Sequence, residues 1–89
     1  MALFTLDNPE HLPQLMALLN GDDLLLLVGT ATSLVLNSPE ALDDCPAEVR
    51  ALAEDLAALG IEPNSTPLSA TYGDWVAFAV THEQHVHWR

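Results

Sequence analysis

Cys45 is the side chain with the most obvious nucleophilic chemistry in this sequence, and it is the one cysteine. A catalytic or persulfide-carrying cysteine needs a thiol pKa that is lowered by a helix amino end or a nearby cation. Asp43 and Asp44 come directly before it, and their negative charge opposes thiolate formation. Pro46 could begin a helix or strand that offsets part of this effect. An incidental surface or half-buried thiol is therefore favoured, and a sulfur-accepting Cys45 stays as the alternative.

Three histidines, His82, His85 and His87, crowd the end of the sequence. Residues three apart are neighbours on a helix and residues two apart share one side of a strand, so one regular element cannot bring all three together. A metal site would also need a carboxylate or thiolate in reach, for which Glu83 is the candidate. We favour an exposed terminus over a metal site, and no cofactor is implied.

Aromatic residues supply the third set of candidates, which comprises Tyr72, Trp75, Phe78 and Trp88. Stacking on nucleic-acid bases normally comes with a basic groove, which this sequence does not supply. Packing in the core and at a sheet edge is the first interpretation of the tryptophans. Contact with a partner protein is the second, because Trp is enriched at interface hot spots.

No arrangement typical of a self-contained enzyme stands out. The sequence has no Ser-His-Asp order, no paired-carboxylate spacing and no dinucleotide fingerprint. The stretch Gly29-Thr30-Ala31-Thr32-Ser33 lacks the glycine spacing and the lysine of a phosphate loop. We therefore predict a binding module or a subunit of a larger assembly, and not an enzyme.

The charge of the chain restricts its partners. Thirteen acids stand against Arg50 and Arg89, with no lysine, for a formal net charge of −11. Affinity for nucleic acid comes mostly from Lys and Arg that neutralise phosphates, so direct binding of DNA or RNA is not expected. An acidic subunit that meets basic partners fits this charge, and simple solubility fits it equally well.

The length of 89 residues predicts one domain over 1–89. A chain of this size buries only about 60% of the surface that its unfolded form exposes, so a partner subunit, or self-association of the isolated chain, would relieve a shortage of core. A lone cysteine fits a reducing cytosol. The start lacks the features of a signal peptide, and no apolar segment approaches the roughly 20 residues that span a bilayer. We interpret the chain as a complete cytoplasmic protein.

The run Asp-Leu-Leu-Leu-Leu-Val-Gly over 23–29 predicts a central parallel strand that is buried on both faces. Such a strand needs helices above and below it. Residues 3–6 predict a first strand. Asn8 is expected to cap a helix that begins at Pro9 or nearer Leu12 and ends at Asn20-Gly21, with an apolar face made of Leu12, Leu15, Met16 and Leu19.

The middle of the chain leaves one alternative open. Residues 30–36 suit a short helix or turn, and 37–46 read as an irregular connection. Residues 47–52 permit a strand, but the alanine-rich continuation also permits a single helix over 46–59, and in either case Gly60 ends the helix.

The last part of the chain predicts a loop, a strand, a helix and an edge strand. Residues 62–67 form the loop and 68–71 the short strand. The helix opens at Tyr72-Gly73-Asp74, and one face holds Trp75, Val76, Ala79 and Val80, bordered by Phe78. Val86 and Trp88 alternate with polar residues as in an edge strand. The order of elements predicts an α/β domain with a small, mostly parallel sheet flanked by helices.

Three segments, taken in order, resemble the TusB/DsrH family of sulfur-relay subunits. The first joins Leu3-Phe4-Thr5-Leu6 to Gly21-Asp22-Asp23-Leu24-Leu25-Leu26-Leu27 through a turn and a helix. The second is Val49-Arg50-Ala51-Leu52-Ala53-Glu54-Asp55-Leu56-Ala57-Ala58-Leu59-Gly60-Ile61. The third is Tyr72-Gly73-Asp74-Trp75-Val76 with Phe78, Val80 and a closing Trp88. The matches run through nearly the whole chain.

The resemblance implies a three-layer sandwich of the DsrE/F/H type with a strand at 48–52. It implies a heterohexamer of three related subunits, each present twice, that takes persulfide sulfur from a small carrier protein. A cysteine on another subunit would pass the sulfur toward 2-thiouridine at the tRNA wobble position, whereas the DsrH branch works in dissimilatory sulfur oxidation. The role implied for this chain is assembly and stabilisation of the active partner.

The sequence departs from the family in two places. Some members carry a cysteine in the first helix, and this chain has none around Gln14. Many members have an acidic or amide pair at the end of the central strand, where this chain has Val28-Gly29. A sulfur-accepting role is therefore not carried over to Cys45.

Overall fold

A run of leucines forms the central strand of the fold, as predicted. The computed structural model describes residues 2–66 and 68–88. The strands in this part of the chain are β1 (Ala2–Leu6), β2 (Leu24–Leu27), β3 (Glu48–Leu52), β4 (Ser69–Ala70) and β5 (Gln84–Trp88). They make one five-stranded sheet in the order β4-β3-β2-β1-β5. Every described strand pair is parallel, which explains why all four leucines of β2 are buried.

The described helices are short, except for the last. They are α1 (Leu12–Met16), α2 (Leu34–Asn37), α3 (Pro39–Asp43), α4 (Ala53–Ala58) and α5 (Tyr72–Thr81). Three stretches of 3-10 helix accompany them within the described residues, at Pro9–His11, Gly29–Ser33 and Pro63–Ser65. The predicted α/β class with a parallel sheet between helices is confirmed.

Successive side chains of each strand point to opposite sides of the sheet, which gives it two distinct faces. We call the side with Phe4, Leu25 and Val49 the first face. The opposite side, with Leu3, Leu26 and Leu52, is the second face.

The order of the strands decides which helix covers which face. From β1 to β4 the chain moves across the sheet in one direction, and right-handed crossovers then place the connecting helices on one side. The connection from β4 to β5 runs back across the whole sheet, so its helix lies on the other side. Accordingly, residues of α1 to α4 pack into the core of the first face, and α5 packs on the second.

Each face has its own apolar core. The first combines strand residues with side chains from four of the described helices, including Leu15, Leu34, Leu42 and Leu56. The second is smaller, and α5 contributes three half-buried side chains to it, namely Trp75, Phe78 and Ala79.

One predicted helix face is wrong. Trp75, Val76, Ala79 and Val80 were expected to share the buried side of α5, with Phe78 at its border. In the structure Phe78 packs on the sheet with Trp75 and Ala79, whereas Val76 is 65% exposed and Val80 is 81% exposed. A helix that lies on a sheet buries a narrow stripe at i, i+3 and i+4, and the two valines lie a turn of about 100° or more away from Trp75.

The boundaries of the early elements also differ from the prediction. The central strand stops at Leu27, before Val28 and Gly29. The first helix begins at Leu12, one of the two predicted starts, and Asn8 caps the preceding 3-10 turn by accepting the backbone N–H of Glu10. It ends at Met16 and not at Asn20, although Leu19 is still buried against the core.

The middle of the chain contains one helix more than predicted. Residues 37–46 are not wholly irregular, because Pro39 begins α3 and Leu42 packs into the first face. The alternative of one helix over 46–59 is wrong, since Glu48–Leu52 is a strand. Gly60 ends the following helix as predicted, with a φ of 79° that favours glycine. Pro67, in the predicted loop, lies outside the described residues.

No helix within residues 2–66 and 68–88 combines the length and the apolar character that a membrane crossing requires.

Candidate functional site

Cys45 lies just beyond the carboxyl end of α3 and is half-buried against the core of the first face. Burial raises the pKa of its thiol above the usual value, and a hydrogen bond with the backbone of Ala47 offsets only part of this. Asp43 and Asp44 are exposed beside it. The carboxyl end of a helix also carries partial negative charge. Burial therefore works against formation of the thiolate, which is a different cause from the neighbouring aspartates named from the sequence.

The three histidines are dispersed by hydrogen bonds to different partners. The ring of His82 donates from Nδ1 to the carbonyl of Phe78 at 2.7 Å. The ring of His85 donates from Nε2 to the carbonyl of Ala79 at 2.8 Å. The Phe78 carbonyl also accepts the backbone N–H of His82, at 3.0 Å, so the two rings bind separate carbonyls in the last turns of α5. No group of three or more His, Cys, Asp or Glu side chains placed for a metal ion occurs in the part of the chain that the structure describes.

His87 faces the second side of the sheet from the edge strand β5. It lies directly opposite Thr5 of β1 in the strand register, and its Nδ1 atom is hydrogen-bonded to the Thr5 hydroxyl. This pair explains why a threonine is tolerated at a position that is only 6% exposed.

A cleft lies between α5 and β5 on the second face. Its volume is about 310 Å³, and its lining is Leu3, Thr5, Trp75, Ala79, His85, Val86 and His87. Trp75 from the helix, together with His85 and His87 from the strand, are candidates from the sequence that the fold brings together here. Leu3 and Thr5 were not identified as site residues beforehand, because only the parallel pairing of β1 with β5 places them beside these residues. Ala79 was predicted to share a helix face with Trp75, and both residues line the cleft.

The aromatic candidates are distributed over both sides of the molecule. Tyr72 is 54% exposed and stacks on Trp75, with 6.2 Å between the ring centroids and 14° between the ring planes. Phe78 packs on the second face, and Trp88 is half-buried against the core of the first. For Tyr72 the exposure fits the predicted contact with a partner, and for Phe78 and Trp88 the contacts observed are those of packing.

The carboxyl edge of the sheet contains a junction that the sequence alone did not reveal. Gly29, at the end of β2, has a φ of 54°, and its N–H donates to Asp55 Oδ2 of α4 at 2.7 Å. A Cβ atom at Gly29 would lie 2.2 Å from Asp7 Oδ1, and the Thr30 hydroxyl donates to the Asp7 carbonyl at 2.9 Å. Open α/β sheets often bind ligands at this edge. Here the junction ties the segments after three neighbouring strands together through hydrogen bonds between side chains and backbone.

Arg50, which is the one Lys or Arg among the described residues, lies on β3. Its guanidinium donates to Glu48 at 2.9 Å, and both side chains are partly exposed. An arginine that is already engaged by a carboxylate offers little to a phosphate backbone. The residues that the structure describes therefore form no basic patch for a phosphate backbone.

No curated protein matches the chain. A profile of the family described as DsrH like protein does match it, over residues 8–85. The match covers most of the chain, from the cap of the first helical turn to the start of the edge strand, and it includes the helical wall of the cleft. It agrees with the resemblance found in the three ordered segments and with the parallel sheet between helices. The chain belongs to the DsrH-like family.

Proposed function

We propose that this chain is a non-catalytic subunit of a sulfur-relay complex, whose reactive cysteine belongs to a related partner subunit. Membership of the DsrH-like family supports a sulfur-relay role in general. The observation that carries the non-catalytic assignment is the environment of Cys45, where burial raises the pKa of the thiol. A thiol that accepts or donates persulfide sulfur reacts as the thiolate, so this position works against such chemistry.

Within that role, the chain supports 2-thiolation of the wobble uridine of tRNA in the cytoplasm. It assembles with two related subunits into a heterohexamer and stabilises the subunit that receives sulfur from a small persulfide carrier protein. It does not itself contact the tRNA. The support for this last point is charge, because a net charge of −11 repels a phosphate backbone.

The test is reconstitution with two related subunits of the DsrE/F/H type from the same genome. The full chain, as wild type and as Cys45→Ser, is combined with them, and a persulfide donor is added. We expect equal assembly and equal sulfur transfer by both complexes, since no step uses Cys45. Transfer is followed by mass spectrometry of each subunit.

Two results would contradict the proposal. One is a gain of one sulfur atom at Cys45 together with loss of transfer in Cys45→Ser, which would make the chain a persulfide carrier. The other is a wild-type chain that stays a stable monomer in the presence of both subunits.

The pathway is tested in cells by deleting the gene for this chain. We expect the 2-thiouridine content of tRNA nucleosides to fall, and expression of either the wild type or Cys45→Ser to restore it. Unchanged 2-thiouridine with impaired oxidation of reduced sulfur compounds would assign the chain to dissimilatory sulfur oxidation instead.

A further inference from the structure

The second face of the sheet is too wide for the helix that covers it. Neighbouring strands lie about 4.8 Å apart, so five strands span roughly 20 Å between the outer strand axes. A helix with its side chains is only about 10 Å wide. Of the described helices, α5 alone packs on this face, so a total width of about one helix is left beside it.

The two flanks of α5 differ in chemistry. Over β3, side-chain alternation places Glu48 and Arg50 on the second face, and their ion pair suits contact with water. Over β1 and β5 lies the cleft of about 310 Å³, whose floor is Leu3 and whose helical wall is Trp75 and Ala79. The surface beside α5 over β3 is therefore polar, whereas the surface beside α5 over β1 and β5 is open and largely apolar.

The apolar surface continues from the cleft onto the outside of α5. Tyr72, Val76 and Val80 recur every four residues, and they are 54%, 65% and 81% exposed. At about 100° per residue, Ala79 lies between Trp75 and this stripe, on the side of the helix away from Phe78. The stripe and the helical wall of the cleft are therefore one continuous surface, which we call the α5 surface (Tyr72, Trp75, Val76, Ala79 and Val80).

Charge argues against a second copy of the chain as the occupant of this surface. Each copy carries a net charge of −11. The exposed Glu83 precedes β5 at one end of the strand wall, whereas the Asp7 carboxylate lies against Gly29, on the side of β1 away from β5. The titratable groups that face the cleft itself are the imidazoles of His85 and His87. A partner with lysines and arginines around an apolar centre complements this arrangement.

We propose that the α5 surface and its cleft receive one amphipathic helix from a basic partner protein, which lies beside α5 and completes the helical layer on the second face. The inference rests on the proposed function, in which the partner is one of the two related subunits. The helix inserts apolar side chains between Trp75 and β5, contacts Val76 and Val80, and places basic side chains toward Glu83.

The test measures assembly of the full chain with the two related subunits by sedimentation at several concentrations. The variant is Val76→Asp with Val80→Asp, which puts two carboxylates into the stripe. The matched control is Leu36→Asp on α2, since Leu36 is also an exposed apolar residue, at 69%, but lies on a helix of the first face. We expect the double variant to weaken assembly at least about tenfold and the control to match the wild type. Circular dichroism of each isolated chain checks that the fold persists.

The outcomes separate the inference from the function on which it rests. If the wild type assembles and the double variant assembles as tightly, the α5 surface is not the docking site, while the proposed function stands. If the wild type fails to assemble with the subunits at all, both the inference and the proposed function are contradicted. If the wild type forms a homodimer that the double variant abolishes, the occupant is a second copy and the basic partner is wrong.

A second measurement tests the chemistry of the partner. Affinity for the complex is measured between low and high salt for the wild type, for Glu83→Gln and for Glu10→Gln, which is an exposed control on the 3-10 turn before α1. We expect the wild-type affinity to fall with salt and Glu83→Gln alone to weaken the affinity and flatten its dependence on salt. Affinity that is independent of salt would contradict a basic rim on the partner.

Discussion

The two faces of the sheet are covered by helices to different extents. On the first face, α1 to α4 supply side chains to a core that includes Leu15, Leu42 and Leu56. On the second, α5 alone of the described helices covers the strands, and it leaves a cleft on one flank and an apolar stripe outside. The first face therefore holds the larger apolar core, whereas the second leaves apolar side chains exposed, and the proposed docking of a partner depends on this difference.

The largest effect is expected from two adjacent leucines of β2 that point to opposite faces. Leu25 and Leu26 are both 0% exposed. Leu25→Ala should lower the free energy of unfolding by about 4 kcal/mol, because the crowded first face cannot collapse into the space left. Leu26→Ala should cost about 3 kcal/mol, because the second face has one helix that can shift beside an open cleft. Urea denaturation measures both, and equal or reversed losses would remove the proposed difference in packing.

The second-largest loss of stability is expected at the carboxyl edge of the sheet. Gly29→Ala should cost about 2 kcal/mol, since φ is 54° and the new methyl group would collide with Asp7. Gly21→Ala is the control, because its added Cβ would meet only the Pro46 carbonyl, at 3.8 Å. The free energy of unfolding of Gly21→Ala should stay within about 0.5 kcal/mol of the wild-type value. Thermal unfolding compares the two, and similar losses would mean that the junction at Gly29 does not hold the strands.

A smaller effect is expected on the reactivity of the Cys45 thiol, which depends on how deeply it is buried against the first face. Because burial raises the pKa of the thiol, the thiolate fraction at pH ~8 is below that of a free cysteine. Alkylation by iodoacetamide should be slower in the native chain than in the same chain in urea, and the native rate should continue to rise at pH values where the unfolded rate has levelled. The native state also holds this proton more tightly, so its stability should decline as pH rises past the unfolded thiol pKa. Equal rates in both states would show an accessible, reactive thiol.

The smallest effect is expected on the outside of α5. Val76→Thr with Val80→Thr should change the stability of the isolated chain by less than about 0.5 kcal/mol, because both side chains are exposed. Val49→Thr is the matched control on the first face, where the side chain is 7% exposed and a hydroxyl without a partner should cost about 1 to 2 kcal/mol. A large loss from the double variant would mean that the stripe is buried, as by self-association of the isolated chain.

Patterns local to the chain predicted the first face better than the second. The leucine run at 24–27 identified the central strand because uninterrupted apolar residues and flanking turns are a local signal. On α5 the same reasoning failed, because Val76 and Phe78 are equally apolar and only the direction of the sheet decides which is buried. The α3 helix was missed because its five residues carry no apolar period.

The candidate site was predicted only where its residues lie close together in sequence. Trp75, His85 and His87 were identified, and the fold brings them to one cleft. Thr5, on the same cleft, lies 82 residues from its partner His87, so its role depends on a strand pairing that no local pattern contains. The junction of Gly29 with Asp7 and Asp55 has the same origin, since each residue follows a different strand.

The pairing of β1 with β5 has a consequence for the chain during synthesis. Ala2 pairs with Gln84 and Leu6 with Trp88, so β1 acquires its outer neighbour only after the residues between these two strands have been made. Until then one edge of β1 presents free backbone N–H and C=O groups, and contacts of such long sequence separation form slowly. A nascent chain in this state is prone to pair with other strands until β5 has been made and covers this edge of β1.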